Sequence, residues 1–264
     1  MKILSVFLSF SLLIILGSCT DNTEEADSLG TYETGFFITN EGPFNNGTGT
    51  LTHVSEDGMV TQDVYKTENN ADLGNIVQSM HLHGDLAYIV VNNSNKVVVA
   101  DRYNMKTITE IKGDKIQSPR YFVSANNRGF LSNWGNPDDP SDDFITVIDL
   151  NSNQVLSTIS VGEGPENMLV NNNFLYVNLE GGYGHNNKVA VIDTKDGRLV
   201  KNLIVGDVPN SLQADLSGNT WVLCGGKPEW TGMETAGKLI KISANHDILS
   251  SFDFDLAEHP QHLT

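Results

Sequence analysis

From residue 35 onward the apolar positions fall into short runs separated by Asn, Asp and Gly. Ala87-Tyr88-Ile89-Val90-Val91, Val97-Val98-Val99-Ala100, Ile145-Thr146-Val147-Ile148 and Val189-Ala190-Val191-Ile192 are examples. Their length, and their content of β-branched and aromatic residues, predict strands. Lys195-Asp196-Gly197 and Leu216-Ser217-Gly218 supply residues suited to tight reversals. No stretch after residue 30 combines a helical period with caps, so the predicted class is all-β.

The runs repeat. Val97–Asp101, Ile145–Asp149 and Val189–Asp193 read alike, with their Asp residues 48 and 44 positions apart. A proline recurs at Pro119, Pro165, Pro209 and Pro260, spaced by 46, 44 and 51 residues. A period of about 47 residues is that of a four-stranded propeller blade. Within one period, strand a runs from Pro165 to Val170, b from Phe174 to Asn178, c from Lys188 to Asp193 and d from Leu199 to Val205. The first repeat begins at b (Phe36 to Glu41), followed by c (Leu51 to Ser55) and d (Val60 to Tyr65).

These residues resemble the YVTN-type (YncE-like) propeller repeat, with its G-x-x-P start, tyrosine-bearing strand and V-x-V-I-D strand. Gly206-Asp207-Val208-Pro209 and Leu175-Tyr176-Val177-Asn178 match it closely, and the resemblance covers 35–264. It departs from the pattern at Phe130-Leu131-Ser132-Asn133, which replaces the Tyr-Val strand, and at Lys238–Ser243, which lacks the terminal Asp. About five blades are visible, the first without strand a, and Pro260–Thr264 makes only the opening of another. Either a five-bladed ring closes with a stub, or the propeller, C-terminally incomplete, is a fragment of a seven-bladed ring. The second reading is favoured, because an innermost strand left short would bury unpaired backbone groups.

The N-terminus is read separately. Lys2 precedes a 14-residue apolar run, Ile3 to Leu16, which suits a signal peptide and is too short to span a bilayer. Leu16-Gly17-Ser18-Cys19 resembles a bacterial lipobox, which implies cleavage after residue 18 and lipidation of Cys19. An acidic tether, 19–34, follows. It is read either as a solvated spacer or as similar to the surface-export signal of Bacteroidota lipoproteins. With Cys19 acylated, Cys224 has no intramolecular partner and is expected to be a buried thiol on a strand.

The chain has 264 residues, and 33 acidic against 16 basic side chains give a net charge of −17. That balance lacks the basic footprint of nucleic-acid binding. Catalytic motifs are absent: there is no G-x-S-x-G, H-E-x-x-H or P-loop. His81 and His83 share one side of a strand and could ligate a metal together, although core or channel lining is the commoner role of such a pair. Asp138, Asp139, Asp142 and Asp143 form an acidic loop without the ligand spacing of a Ca²⁺ loop. No catalytic residue, metal ligand or cofactor is therefore assigned.

Binding residues are sought on the face carrying the long b-to-c loops, 134–142, 179–187 and 225–236. Each loop holds an aromatic residue, Trp134, Tyr183 and Trp230, expected either to anchor a ligand or to pack against neighbouring loops. The positions after each proline should ring the channel on that face. They include Arg120-Tyr121, Glu166-Asn167, Asn210-Ser211 and Gln261-His262, with Gln78-Ser79 where the proline is missing. From these come the candidate ligand-binding residues Gln78, Tyr121, Glu166, Asn167, Asn210 and Ser211.

The expected protein is a non-enzymatic, lipid-anchored outer-membrane propeller that is surface-exposed and binds a ligand. The resemblance to cell-surface propeller lipoproteins of Bacteroidota implies a small molecule, cobalamin first, and a TonB-dependent transporter as partner. The alternatives are a protein-interaction platform in an envelope complex and a metal-dependent propeller hydrolase or lactonase. Against the last, only Glu166 offers a carboxylate at a position following a proline.

Overall fold

The computed structural model describes residues 28–136 and 138–264. The signal peptide, Cys19 and the tether as far as residue 27 lie outside the described residues.

The chain is an all-β propeller, and each sheet is an antiparallel meander in sequence order. Blade 1 has three strands, β1 (Phe36–Asn40), β2 (Thr50–Val54) and β3 (Val60–Thr61). Blade 2 consists of β4 (Val77–His83), β5 (Leu86–Val91), β6 (Lys96–Asp101) and β7 (Thr107–Lys112). Blade 3 consists of β8 (Pro119–Ala125), β9 (Arg128–Asn133), β10 (Phe144–Asp149) and β11 (Gln154–Ser160). Blade 4 consists of β12 (Pro165–Asn171), β13 (Phe174–Leu179), β14 (Lys188–Asp193) and β15 (Arg198–Ile204). Blade 5 consists of β16 (Pro209–Ala214), β17 (Thr220–Cys224), β18 (Lys238–Ile242) and β19 (Ile248–Asp253).

The core is a series of layers between blades. Side chains alternate across a strand, so β5 sends Ala87, Ile89 and Val91 toward blade 1 and Tyr88 and Val90 toward blade 3. Phe130, Ile145 and Val147 of blade 3 meet Leu175, Val177, Ala190 and Ile192 of blade 4. Tyr176, Val189 and Val191 meet Val222, Cys224, Ile240 and Ile242 of blade 5. The middle strands are largely apolar on both sides because both of their faces are covered, with Ser132, Asn133, Thr146 and Asn178 among the buried polar exceptions. Cys224 is the buried strand thiol expected, and burial pushes its pKa up to about 12. Two tyrosines also cross between blades. Tyr88 donates to Asn153 Oδ1 at 2.9 Å, and the Tyr176 hydroxyl lies 2.8 Å from His246 Nδ1. Each thereby ties its blade to a turn of the next.

Blade 1 differs from expectation. Strand d stops at Thr61, and α1 (Val64–Asn69) follows where the strand was expected to run to Tyr65. The left-handed φ of 52° at Asp63 ends the extended chain, and the helix then buries Val64 and Tyr65. Asn69 fixes the helix to blade 2 by donating to the Met105 carbonyl at 2.7 Å. The folded unit also reaches back to Tyr32, which is buried against Phe37 and His53. Among the described residues no helix is long and apolar enough to cross a membrane.

The residue before each innermost strand has a positive φ: 60° at Ile76, 47° at Ser118, 69° at Gly164 and 56° at Val208. For β-branched Ile76 and Val208 this is a strained conformation, held by the surrounding structure. Gly164 avoids the strain, and a Cβ there would collide with the backbone nitrogens of Gly181 and Gly182. Gly164→Ala should therefore cost more than about 2 kcal/mol in denaturant unfolding. Gly113, also at positive φ but with open space around it, should tolerate Ala at a cost of about 1 kcal/mol.

Candidate functional site

In blades 2 to 5 the pairing of the two innermost strands shifts register at the same place. The irregularities fall between Val77 and Ser79, Pro119 and Phe122, Pro165 and Met168, and Pro209 and Ser211. A β-bulge re-aims the residues within it. Those residues are Gln78, Arg120-Tyr121, Glu166-Asn167 and Asn210, the positions expected to ring the channel mouth.

Arg120 organises half of that mouth. Its Nε lies 2.8 Å from Glu166 Oε2 and its Nη2 2.6 Å from Glu166 Oε1, a two-pronged pair. Nη1 donates to Gln78 Oε1 at 2.6 Å, and Gln78 Nε2 donates to Glu41 Oε1 at 3.2 Å. The guanidinium sits 4.0 Å from the Trp134 ring centre. Glu166 is 5% exposed. Burial pushes its carboxyl up and the Arg120 fork acts against that. Glu166 is thus held inside the protein, Gln78 is pinned at the half-buried rim, and Trp134 is a packed wall that also meets the Tyr183 ring edge-on at 5.6 Å.

The other half of the mouth is open. A cleft of about 390 Å³ lies between the loops after β13 and β17, bordered by Glu180, Tyr183, His185, Asn210, Trp230 and His259. Tyr183 is 74% and Trp230 80% exposed, so both present ring surface to water. A three-residue helical turn, Glu229–Thr231, carries Trp230, with Gly232 in the left-handed region closing it. Asn210 donates to the Pro260 carbonyl at 2.8 Å, while its buried Oδ1 has no hydrogen-bond partner. The Glu180 carboxyl is pushed up to about 7, first by burial and then by the negative charge of Glu166. His259 is oriented by the Gly225 carbonyl, 2.8 Å from Nδ1.

Of the residues singled out from sequence, Tyr183, Trp230 and Asn210 come together on this cleft. Asn167 instead donates to the Asn210 carbonyl at 3.1 Å, lacing two inner strands, and Ser211 to the Gln261 carbonyl at 3.3 Å, tying β16 to the C-terminal segment. Tyr121 is half-buried, its backbone N–H bonded to Ser132 Oγ at 3.0 Å. Sequence reasoning missed Glu180 and His259 as lining residues and Arg120 as the organiser. Glu180 directly follows β13, and His259 directly precedes one of the recurring prolines, so repeat position could have flagged both. The acidic loop also differs from a simple solvated one. Asp143 is 4% exposed and accepts the Gly164 N–H at 2.6 Å, and burial pushes its carboxyl up to about 7. Among the described residues no three His, Cys, Asp or Glu side chains converge as metal ligands.

The raised carboxyl of Glu180 has a consequence for stability. Folded, it keeps its proton to about pH 7, whereas the ordinary value of a solvated glutamate is 4.5. The folded state then holds more protons than the unfolded one across that window, so stability falls as pH rises through it. Glu180→Gln should remove part of that dependence and stabilise the protein at pH 8 by about 1–2 kcal/mol. Urea unfolding of both forms at pH 5 and pH 8 checks this.

Comparison with known proteins places the fold. No curated protein matches the chain. Among solved structures it is similar to a Bacteroides caccae protein of unknown function, with 12% identity over 86% of this chain and 81% of that one, at a TM-score of 0.53. The Neurospora crassa Pan2 WD40 domain matches at 12% identity over 77% and 59%, TM-score 0.55. Kuenenia stuttgartiensis hydrazine synthase matches at 17% identity over 65% and 46%, TM-score 0.54. The chain thus spans about half to three-fifths of the latter two chains, and at these identities the likeness is one of fold. A family model described as a domain of unknown function, DUF5074, matches residues 34–250, and the chain belongs to that family.

Proposed function

We propose that this protein is a non-enzymatic lipoprotein of the outer membrane, anchored through Cys19 and surface-exposed, which captures a small molecule in the cleft between Tyr183 and Trp230. The observation that carries the reading is the cleft itself: two exposed aromatic rings flank it, and the buried Asn210 Oδ1 on its wall has no hydrogen-bond partner. Aromatic faces take flat or ring-shaped apolar surface, and an unsatisfied buried acceptor favours a ligand with an N–H or O–H to offer. Cobalamin has both a large ring and peripheral amides, and hand-over to a TonB-dependent transporter would follow capture. Binding is preferred to hydrolysis because Glu166, the carboxylate at a position following a recurring proline, is already engaged by Arg120.

Scanning calorimetry of the full-length chain in detergent, with and without cobalamin, tests this. At about a thousandfold excess over its Kd, cobalamin should stabilise the fold by about 4 kcal/mol. The gain should fall by more than half in Tyr183→Ala/Trp230→Ala. An unchanged transition, or a shift retained in full by the double variant, would overturn the reading. Capture of a transporter without any small-molecule effect would favour an interaction platform instead.

A further inference from the structure

At the opposite end of the channel, His81 and His83 occupy alternate positions of β4, and both are aimed at β8 of the next blade. There they meet one hydroxyl. Ser124 Oγ lies 2.9 Å from His81 Nε2 and 3.0 Å from His83 Nδ1. Other inner-strand side chains bond to neighbouring backbone carbonyls: Ser79 to Arg120 at 2.7 Å, Asn167 to Asn210 at 3.1 Å and Asn171 to Gly218 at 3.0 Å. At this junction three side chains converge instead. The serine has a single hydrogen to give, so one ring nitrogen accepts it while the other donates to the hydroxyl oxygen. All three residues are half-buried, so water reaches them.

We propose that His81 Nε2, His83 Nδ1 and Ser124 Oγ form a binding site for a divalent transition-metal ion, with water completing its coordination. Imidazole nitrogen suits Cu²⁺, Zn²⁺ and Ni²⁺. Zinc bonds of about 2.0–2.1 Å set tetrahedral ligand-to-ligand edges of about 3.3 Å. The two nitrogen-to-oxygen separations here are within a few tenths of an ångström of that, so small ring rotations suffice to admit an ion. The ion would sit among the two ring nitrogens and the serine oxygen, with the hydroxyl binding through a lone pair and turning its hydrogen outward.

The test is Cu²⁺ titration of the metal-stripped full-length chain in detergent, followed by calorimetry and by electron paramagnetic resonance. One tight equivalent is expected, with hyperfine structure from two imidazole nitrogens. His81→Ala and His83→Ala should each weaken it more than tenfold, Ser124→Ala by about tenfold, and His259→Ala not at all. Absence of saturable binding would overturn the proposal, as would a wild-type spectrum with fewer than two nitrogen ligands. Since the spectrum is read on the unsubstituted protein, the proposal stays testable even where a variant fails to fold.

Discussion

The apolar faces of the blades can leave water only by packing on one another. The middle strands carry apolar side chains on both sides, so a single blade in isolation would expose much of one face rich in Val, Ile and Leu. Stacking in chain order resolves this, with Tyr88 and Phe122 stacked at 4.4 Å between blades 2 and 3 as one such contact. Burial of this kind stabilises by about 25 cal/mol per Å² of apolar surface, and it aligns the innermost strands side by side. The side chains gathered at the two ends of the innermost strands are consequences of that alignment.

Within the alignment, the long-loop mouth is shaped by a bulge repeated in four blades and by the left-handed residue ahead of it. The bulge turns Gln78, Arg120, Glu166 and Asn210 toward the mouth, and the identity of each then decides its part. Arg120 and Glu166 on neighbouring blades neutralise one another and lock Trp134 in place. Asn210, one blade further on, meets no such partner for its side-chain Oδ1. The closed half and the open half of the mouth therefore differ by side-chain chemistry on one backbone plan. Strain at Ile76 and Val208 is tolerated because inter-blade packing holds the chain on either side.

Much of this was legible from the chain. The recurring proline, the strand limits of blade 4 and the burial of Cys224 follow from periodicity and turn chemistry. Tyr183 and Trp230 could be placed on one face by strand polarity alone. Pairings were harder. Arg120 and Glu166 were both assigned to the ring of positions following a proline, yet which positions bond depends on how far each bulge rotates them. The raised carboxyls of Glu180 and Asp143 depend on burial by loops from the next repeat, which no local pattern encodes. Helix α1 was hidden because its six residues are too few for a helical period, and a left-handed Asp63 starts it. His81 and His83 were visible as a pair, but Ser124 joins them only across the junction between blades.

The central claim is that the open half of the long-loop mouth is where this protein meets its ligand. Hydrogen exchange of the full-length chain, with and without saturating cobalamin, addresses it directly. The account predicts added protection in the loops 180–187 and 225–237, with the turns at 126–127 and 150–153 on the opposite face unchanged. Protection confined to those turns, or none in either set, would contradict it.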